Sequence, residues 1–159
     1  MKDNNNFFMK VAIILAQESK CVSKKVGAII TKDGRIISSG YNGTPAGHIN
    51  CKDHFKNGYE RESHHEWSNA NEIHAEMNAI LFASKVGLSL NGCEMYTLVS
   101  PCIQCAKVIV GAGISKVYFR ERYDRETDGL IFLENNGVFV LGSYLNKSNK
   151  EVWICLNDT

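Results

Sequence analysis

His74-Ala75-Glu76 and the downstream run Pro101-Cys102-Ile103-Gln104-Cys105 carry residue types that can bind and use a metal ion. The first run offers an imidazole and a carboxylate. The second offers two thiols at i, i+3, about one helical turn apart. A catalytic zinc takes three protein ligands from nitrogen, sulfur or oxygen donors and keeps a further position for water. His74, Cys102 and Cys105 form such a set, which leaves Glu76 spare. A spare carboxylate beside a metal-activated water is suited to carrying protons. Two thiolates and a neutral imidazole balance the charge of zinc. The metal can still bring the pKa of its water to about 7, from about 15.7 in bulk.

The elements that must position these groups can be read from the flanking residues. Cys102 to Val110 reads as a helix start after Pro101. Unpaired N–H groups and the dipole at such a terminus favour thiolate over thiol. Ala75 to Val86 reads as a second helix, opened by His74 and Glu76. Side chains at i and i+2 do not share a helical face. His74 and Glu76 can therefore converge only at the helix entrance, with His74 not yet helical. H-A-E alone is a weak signal, and C-x-x-C alone could be a redox pair or half of a structural zinc site. The order, the proline and the strand-like Cys93–Val99 between the two runs make the combination specific.

Along the rest of the chain, Met9, Ala12, Ile13 and Ala16 recur at helical intervals and predict a helix over Met9–Ser19. Val26–Thr31 and Arg35–Gly40 flank Lys32-Asp33-Gly34, a hairpin signal. Residues 41–72 are polar and nearly without aliphatic side chains, and they read as a long loop held by something else. Helices over 75–86, 102–112 and 128–135 then alternate with strands over 93–99, 116–120 and 138–141. Such alternation predicts an α/β sandwich with parallel later strands. Trp153–Leu156 is too short to assign, and Asp3–Asn6 reads as a solvated end.

The chain has 159 residues, a net charge of +1 and six cysteines. The length implies one domain, 1–159, with the polar insertion at about 43–72. The near-neutral charge gives no basic surface for nucleic acid. No apolar run approaches the ~20 residues that cross a bilayer. Two cysteines fall in the C-x-x-C and no secretory signal is seen, so a reducing, cytoplasmic setting is expected and a disulfide framework is not.

These motifs extend into a family resemblance. Cys21–Ala28, Gly40–Gly47, Glu66-Trp67, Asn71–Phe82, Pro101-Cys102 and Tyr123-Asp124 resemble the deoxycytidylate deaminases, bacteriophage type, of the cytidine deaminase-like zinc deaminases. The resemblance implies a three-layer α/β/α sandwich around a five-stranded mixed sheet, assembled as a homohexamer. It implies hydrolysis of dCMP to dUMP and ammonia, supplying dUMP for thymidylate synthesis in the cytoplasm, the host's if the chain is phage-encoded. It also implies activation by dCTP and inhibition by dTTP, with Mg2+ accompanying the nucleotide effector.

Residue by residue, Glu76 takes the place of the proton shuttle, with His74, Cys102 and Cys105 on the catalytic zinc. Asn42 resembles a sugar contact, Tyr123 a residue near the phosphate, and Ala75 a substrate contact. Phe82 and Lys85 match substrate-site positions; an aromatic at helical spacing is more often core, and a lysine in the last helical turn is often merely solvated. Gly40, Tyr41, Gly43 and Thr44 resemble an effector-binding segment, with Lys24 as a phosphate partner; a plain turn would look the same. A second, structural zinc is implied on Cys21, Cys51, His64 and Glu72, two zinc ions per subunit in all. Spacing alone cannot choose among His48, His54, His64 and His65. The place of His64 before Glu66-Trp67 selects it, with His65 one residue away.

Three other readings share parts of this pattern. A tRNA adenosine deaminase would use the same zinc chemistry but would need a basic groove. A deaminase of dCTP or of a free nucleoside would differ only in phosphate number. A non-catalytic zinc module would close its metal with four protein ligands.

Overall fold

Three stretches of the chain fold differently from what their side-chain pattern suggests, and each lies close to the expected metal ligands or braces the sheet beneath them. The computed structural model describes residues 4–157. Helix α1 spans Asn5–Ala16 and buries Phe8, Met9, Ala12 and Ala16. The expected solvated end holds in part: Asn4 and Asn6 are exposed and Asn5 is half-buried, while Asp3 lies outside the described residues. Asn5 Oδ1 accepts a hydrogen bond from the Tyr96 hydroxyl at 2.8 Å. Asn6 Oδ1 accepts one from the Trp153 indole N–H, also at 2.8 Å. Polar side chains thus pin α1 to the sheet.

The second stretch is the polar insertion. It holds helix α2 (Cys51–His54) and helix α3 (Arg61–Asn71). The only buried residue of α3 is His64, so no apolar stripe marks this helix in the sequence. The third is the C-terminal edge. Strand β5 (Phe139–Leu145) runs past its expected end and turns into β6 (Glu151–Cys155).

The remaining elements fall where periodicity puts them. Strands β1 (Gly27–Lys32) and β2 (Arg35–Tyr41) form a hairpin. Asp33 and Gly34 both take positive φ at its turn, at 50° and 73°. Helix α4 (Ala75–Lys85), strand β3 (Glu94–Val99), helix α5 (Ile103–Gly111), strand β4 (Lys116–Glu121) and helix α6 (Asp128–Asn135) follow in turn. The sheet order is β2-β1-β3-β4-β5-β6. β3, β4 and β5 are parallel, and the other pairings are antiparallel. The sheet is therefore mixed, as expected, with six strands where five were expected.

Side chains alternate across this sheet. Met95, Val117, Phe119 and Val140 face α4, α5 and α6 in one core. Tyr96 and Tyr118 face α1 in the other, stacked with ring centroids 4.3 Å apart. The result is the three-layer α/β/α sandwich. Gly40 lets β2 lie against α4: a Cβ there would sit 2.5 Å from the Ala79 backbone nitrogen. In open α/β sheets, ligand crevices lie beyond the carboxyl ends of the parallel strands. Here β3 ends at Val99 and leads directly into Ser100, Pro101 and Cys102.

Candidate metal centres and active site

His74 is the residue before α4, with φ −64° and ψ 153°. It is extended, while Ala75 onward is helical. This is the non-helical entrance that the His74–Glu76 spacing requires. Cys102 holds the same place before α5, with φ −70° and ψ 168°. The two helix entrances face one another. His74 Nδ1 lies 3.5 Å from Cys102 Sγ and 3.4 Å from Cys105 Sγ. Glu76 points into the same space, with Oε2 3.8 Å from Cys105 Sγ.

The electrostatics fit a site built for a cation. Cys102 is brought down to about 4 by hydrogen bonding from Cys105 and His74. His74 is raised to about 9, chiefly by Cys102. Cys105 is pushed up by the neighbouring Cys102 sulfur and by burial. Two sulfurs within 3.5 Å of one imidazole nitrogen mark the place a dication would take. Glu76 is 5% exposed, and burial raises its pKa. Only three donors belong to this grouping among the described residues. That number suits a centre that keeps a position for water, and not the four-ligand closure of a structural module.

A second grouping joins Cys21, Cys51, His64 and Glu72, with donor atoms all within 4.8 Å of one another. His64 Nε2 lies 3.4 Å from Cys21 Sγ and 3.3 Å from Cys51 Sγ. The adjacent His65 turns away to Asn69, 3.1 Å distant. Burial pushes Cys51 up to about 12, raises Cys21 and lowers His64, so each donor is driven toward its neutral form. Glu72 Oε2 accepts a hydrogen bond from Ser68 at 2.6 Å. Glu72 Oε1 is buried with no partner. Unpaired buried carboxylate oxygens are costly. A cation coordinated by this oxygen, the His64 nitrogen and the two sulfurs would remove that cost, so the residues fit a closed four-ligand zinc.

A cleft of about 200 Å³ opens over both groupings. Its floor includes His74, Ala75, Glu76 and Cys102, and Asn42 and Tyr123 line its sides. The Asn42 amide already works within the fold: Oδ1 accepts from Val26 N–H at 2.8 Å and Nδ2 donates to the Lys24 carbonyl at 2.9 Å. Lys24 also lines the cleft, paired with Glu121 at 2.8 Å. Phe82 and Lys85 do not line it. They sit near the end of α4, where Leu81, Phe82 and Val86 are each 52% exposed. Of the effector-like segment, Gly40 is explained by packing on α4, Tyr41 is exposed, and Gly43 forms a bridge with Ile73. The Thr44 hydroxyl is buried without a partner.

In the segment after β4 the sequence points to Tyr123 and Asp124 but not to Arg125 or Glu126, nor to Ser100 that meets it. Tyr123 N–H donates to Ser100 Oγ at 2.7 Å, and Glu126 Oε1 accepts from Ile103 N–H at 2.8 Å. The second contact caps α5 beside Cys102. Arg125 and Arg61 line the cleft from the segment and from α3. No spacing or motif joins these residues; only the fold does.

Comparison with known proteins agrees with this geometry. The model of the cytidine and deoxycytidylate deaminase zinc-binding region matches residues 2–121. The chain is 40% identical to the deoxycytidylate deaminase of Enterobacteria phage T4, over 94% of this chain and 95% of that one. It is 42% identical to the phage T2 protein of the same name, over 83% and 88%. Among solved structures, the dCMP deaminase of cyanophage S-TIM5 in complex with dCMP and dUMP superposes with a TM-score of 0.76. The two are 38% identical over 89% of this chain and 98% of that one. A tRNA:A34 deaminase, 23% identical at a TM-score of 0.51, shares the fold. A matched zinc-binding region, two clusters of zinc donors and these relatives together make the chain a member of the cytidine and deoxycytidylate deaminase family.

Proposed function

We propose that this chain hydrolyses dCMP to dUMP and ammonia in the cytoplasm, supplying dUMP for thymidylate synthesis. The observation that carries the reading is the buried Glu76 carboxylate beside an open three-donor centre at the floor of a cleft edged by cations. The relatives named deoxycytidylate deaminase, and the cyanophage enzyme that binds dCMP and dUMP, support the choice of substrate.

His74, Cys102 and Cys105 would hold the catalytic zinc, which when bound supplies the Lewis acidity that makes water a nucleophile near neutral pH. Glu76 takes a proton from the attacking water and delivers it to the pyrimidine ring nitrogen. The same carboxylate then carries a proton to the exocyclic nitrogen, which leaves as ammonia. Burial suits this task, because a carboxyl whose pKa is raised both accepts and returns a proton readily. Asn42 and Ala75 contact the nucleoside, and Tyr123 stands at its phosphate end.

Cys21, Cys51, His64 and Glu72 hold a second zinc that orders the polar insertion, giving two ions per subunit. dCTP, with Mg2+, activates and dTTP inhibits through Gly40, Tyr41, Gly43, Thr44 and Lys24. Phe82 and Lys85 lie on a face that a second copy would cover in a homohexamer. The exposed Leu81, Val86 and Leu88 beside them support such a contact.

The test is a steady-state comparison of dCMP, dCTP, cytidine and tRNA as substrates of the zinc-loaded protein. Turnover of dCMP well above the others is expected. Preference for dCTP or tRNA would overturn the substrate assignment.

A further inference from the structure

Three cations line the cleft, and each is already paired. Lys24 meets Glu121 at 2.8 Å, Arg61 meets Asp124 at 2.7 Å, and Arg125 meets Glu62 at 3.2 Å. The last two pairs form a crossed set. Consecutive residues at the start of α3, Arg61 and Glu62, hold Asp124 and Arg125 in the segment after β4. Charges in the cleft are thus balanced before any anion enters.

We propose that Arg125 recognises the substrate's phosphate, with Glu62 as a counter-ion that occupies its guanidinium until the phosphate arrives. The inference rests on the reading of the substrate as a nucleoside monophosphate. Three observations single out Arg125. Its two terminal nitrogens each reach one Glu62 oxygen, at 3.2 Å and 3.2 Å. A phosphate presents the same two-oxygen edge, so the carboxylate stands where a phosphate edge can bind in the same fork-to-fork manner.

The second observation is burial. The Arg125 side chain is 23% exposed, against 64% for Arg61 and 53% for Lys24. A less hydrated cation gains more from a dianion. Glu62 is 71% exposed, so it can swing into water when displaced. An ion pair with one exposed partner contributes little to stability, so the exchange costs little.

The third observation is position. A second cleft also reaches the candidate metal ligands, and it shares His65, His74, Cys102, Tyr123 and Arg125 with the first. Lys24 and Arg61 line the first alone. Arg125 therefore borders both openings onto His74. Arg61 has a different part: it neutralises Asp124, whose carboxylate would otherwise repel a phosphate beside Tyr123.

The experiment compares kcat/KM for dCMP and for deoxycytidine, which has the same base and sugar without the phosphate. Arg125→Met should lower the dCMP-to-deoxycytidine ratio about 10- to 100-fold, mainly through the KM for dCMP. Arg125→Lys, which keeps the charge but loses the fork, should fall between. Glu62→Gln should lower the KM for dCMP, because the counter-ion no longer competes. An unchanged ratio in Arg125→Met, or an equal loss on both substrates, overturns the assignment. Calorimetric binding of dUMP and deoxyuridine repeats the comparison without turnover. If wild-type protein binds dUMP through Arg125 but does not deaminate dCMP, the deaminase reading fails and the phosphate assignment stands.

Discussion

His74 Nδ1 lies 3.5 Å from Cys102 Sγ because each residue is the extended position at the entrance of its own helix. A helix entrance has non-helical backbone, so its side chain can turn back across the first turn. His74 and Glu76 then point the same way, and Cys102 and Cys105 point to meet them. The N-terminal ends of both helices lie beside the cluster, and their positive dipole ends favour thiolate, while Glu126 takes the Ile103 N–H.

Glu76→Gln tests the proton carrier. The amide keeps the shape but cannot take a proton. The variant should retain zinc and lose roughly 10²–10⁴-fold in kcat. Metal analysis beside steady-state kinetics checks both halves. More than about a tenth of wild-type rate would remove Glu76 from this role.

Metal content tests the second centre. Purified protein should carry about two zinc ions per chain, one for each donor grouping. Cys51→Ser should lose one of them and melt at a lower temperature, because site binding and ordering of the insertion are one process. A single zinc in wild-type protein would sink the idea.

Gly129→Ala probes how α6 holds Cys102 and Cys105 in place. A Cβ at Gly129 would overlap the Pro101 carbonyl oxygen and approach the Cys102 carbonyl carbon to 2.8 Å. Alanine would gain about 0.5–1 kcal/mol in helix propensity. The overlap, at about 1–3 kcal/mol or more, should win and displace Cys102. Melting temperature, zinc retention and kcat should all fall. A variant as stable and active as wild type would show that α6 can yield without moving the site.

Effector response separates packing from binding in the β2 segment. dCTP should lower, and dTTP should raise, the dCMP concentration for half-maximal rate, by roughly 5- to 150-fold if the coupling is typical. The saturation curve of dCMP with each triphosphate and magnesium measures this. Two unchanged curves would mean that Gly40 serves only to seat β2 on α4.

The amino-acid sequence by itself determined the chemistry of the first centre. His74, Glu76, Cys102 and Cys105 sit in two short runs, and short runs carry their own geometry. It also determined the alternation from α4 to β5, because apolar period 2 and period 3.6 are local signals. The tertiary structure alone decided what depends on distant segments. α3 hides from periodicity because a single histidine, not an apolar stripe, is what it buries. The choice of His64 over His65 is a matter of which face of α3 meets Cys21 and Cys51. β6 is fixed by its antiparallel pairing with β5 and by a bond from Trp153 to Asn6, near the other end of the chain, and neither is a local signal. Arg125 lines the cleft paired with Glu62, and nothing in the spacing of two charged residues, one at the start of α3 and one after β4, foretells that they will meet.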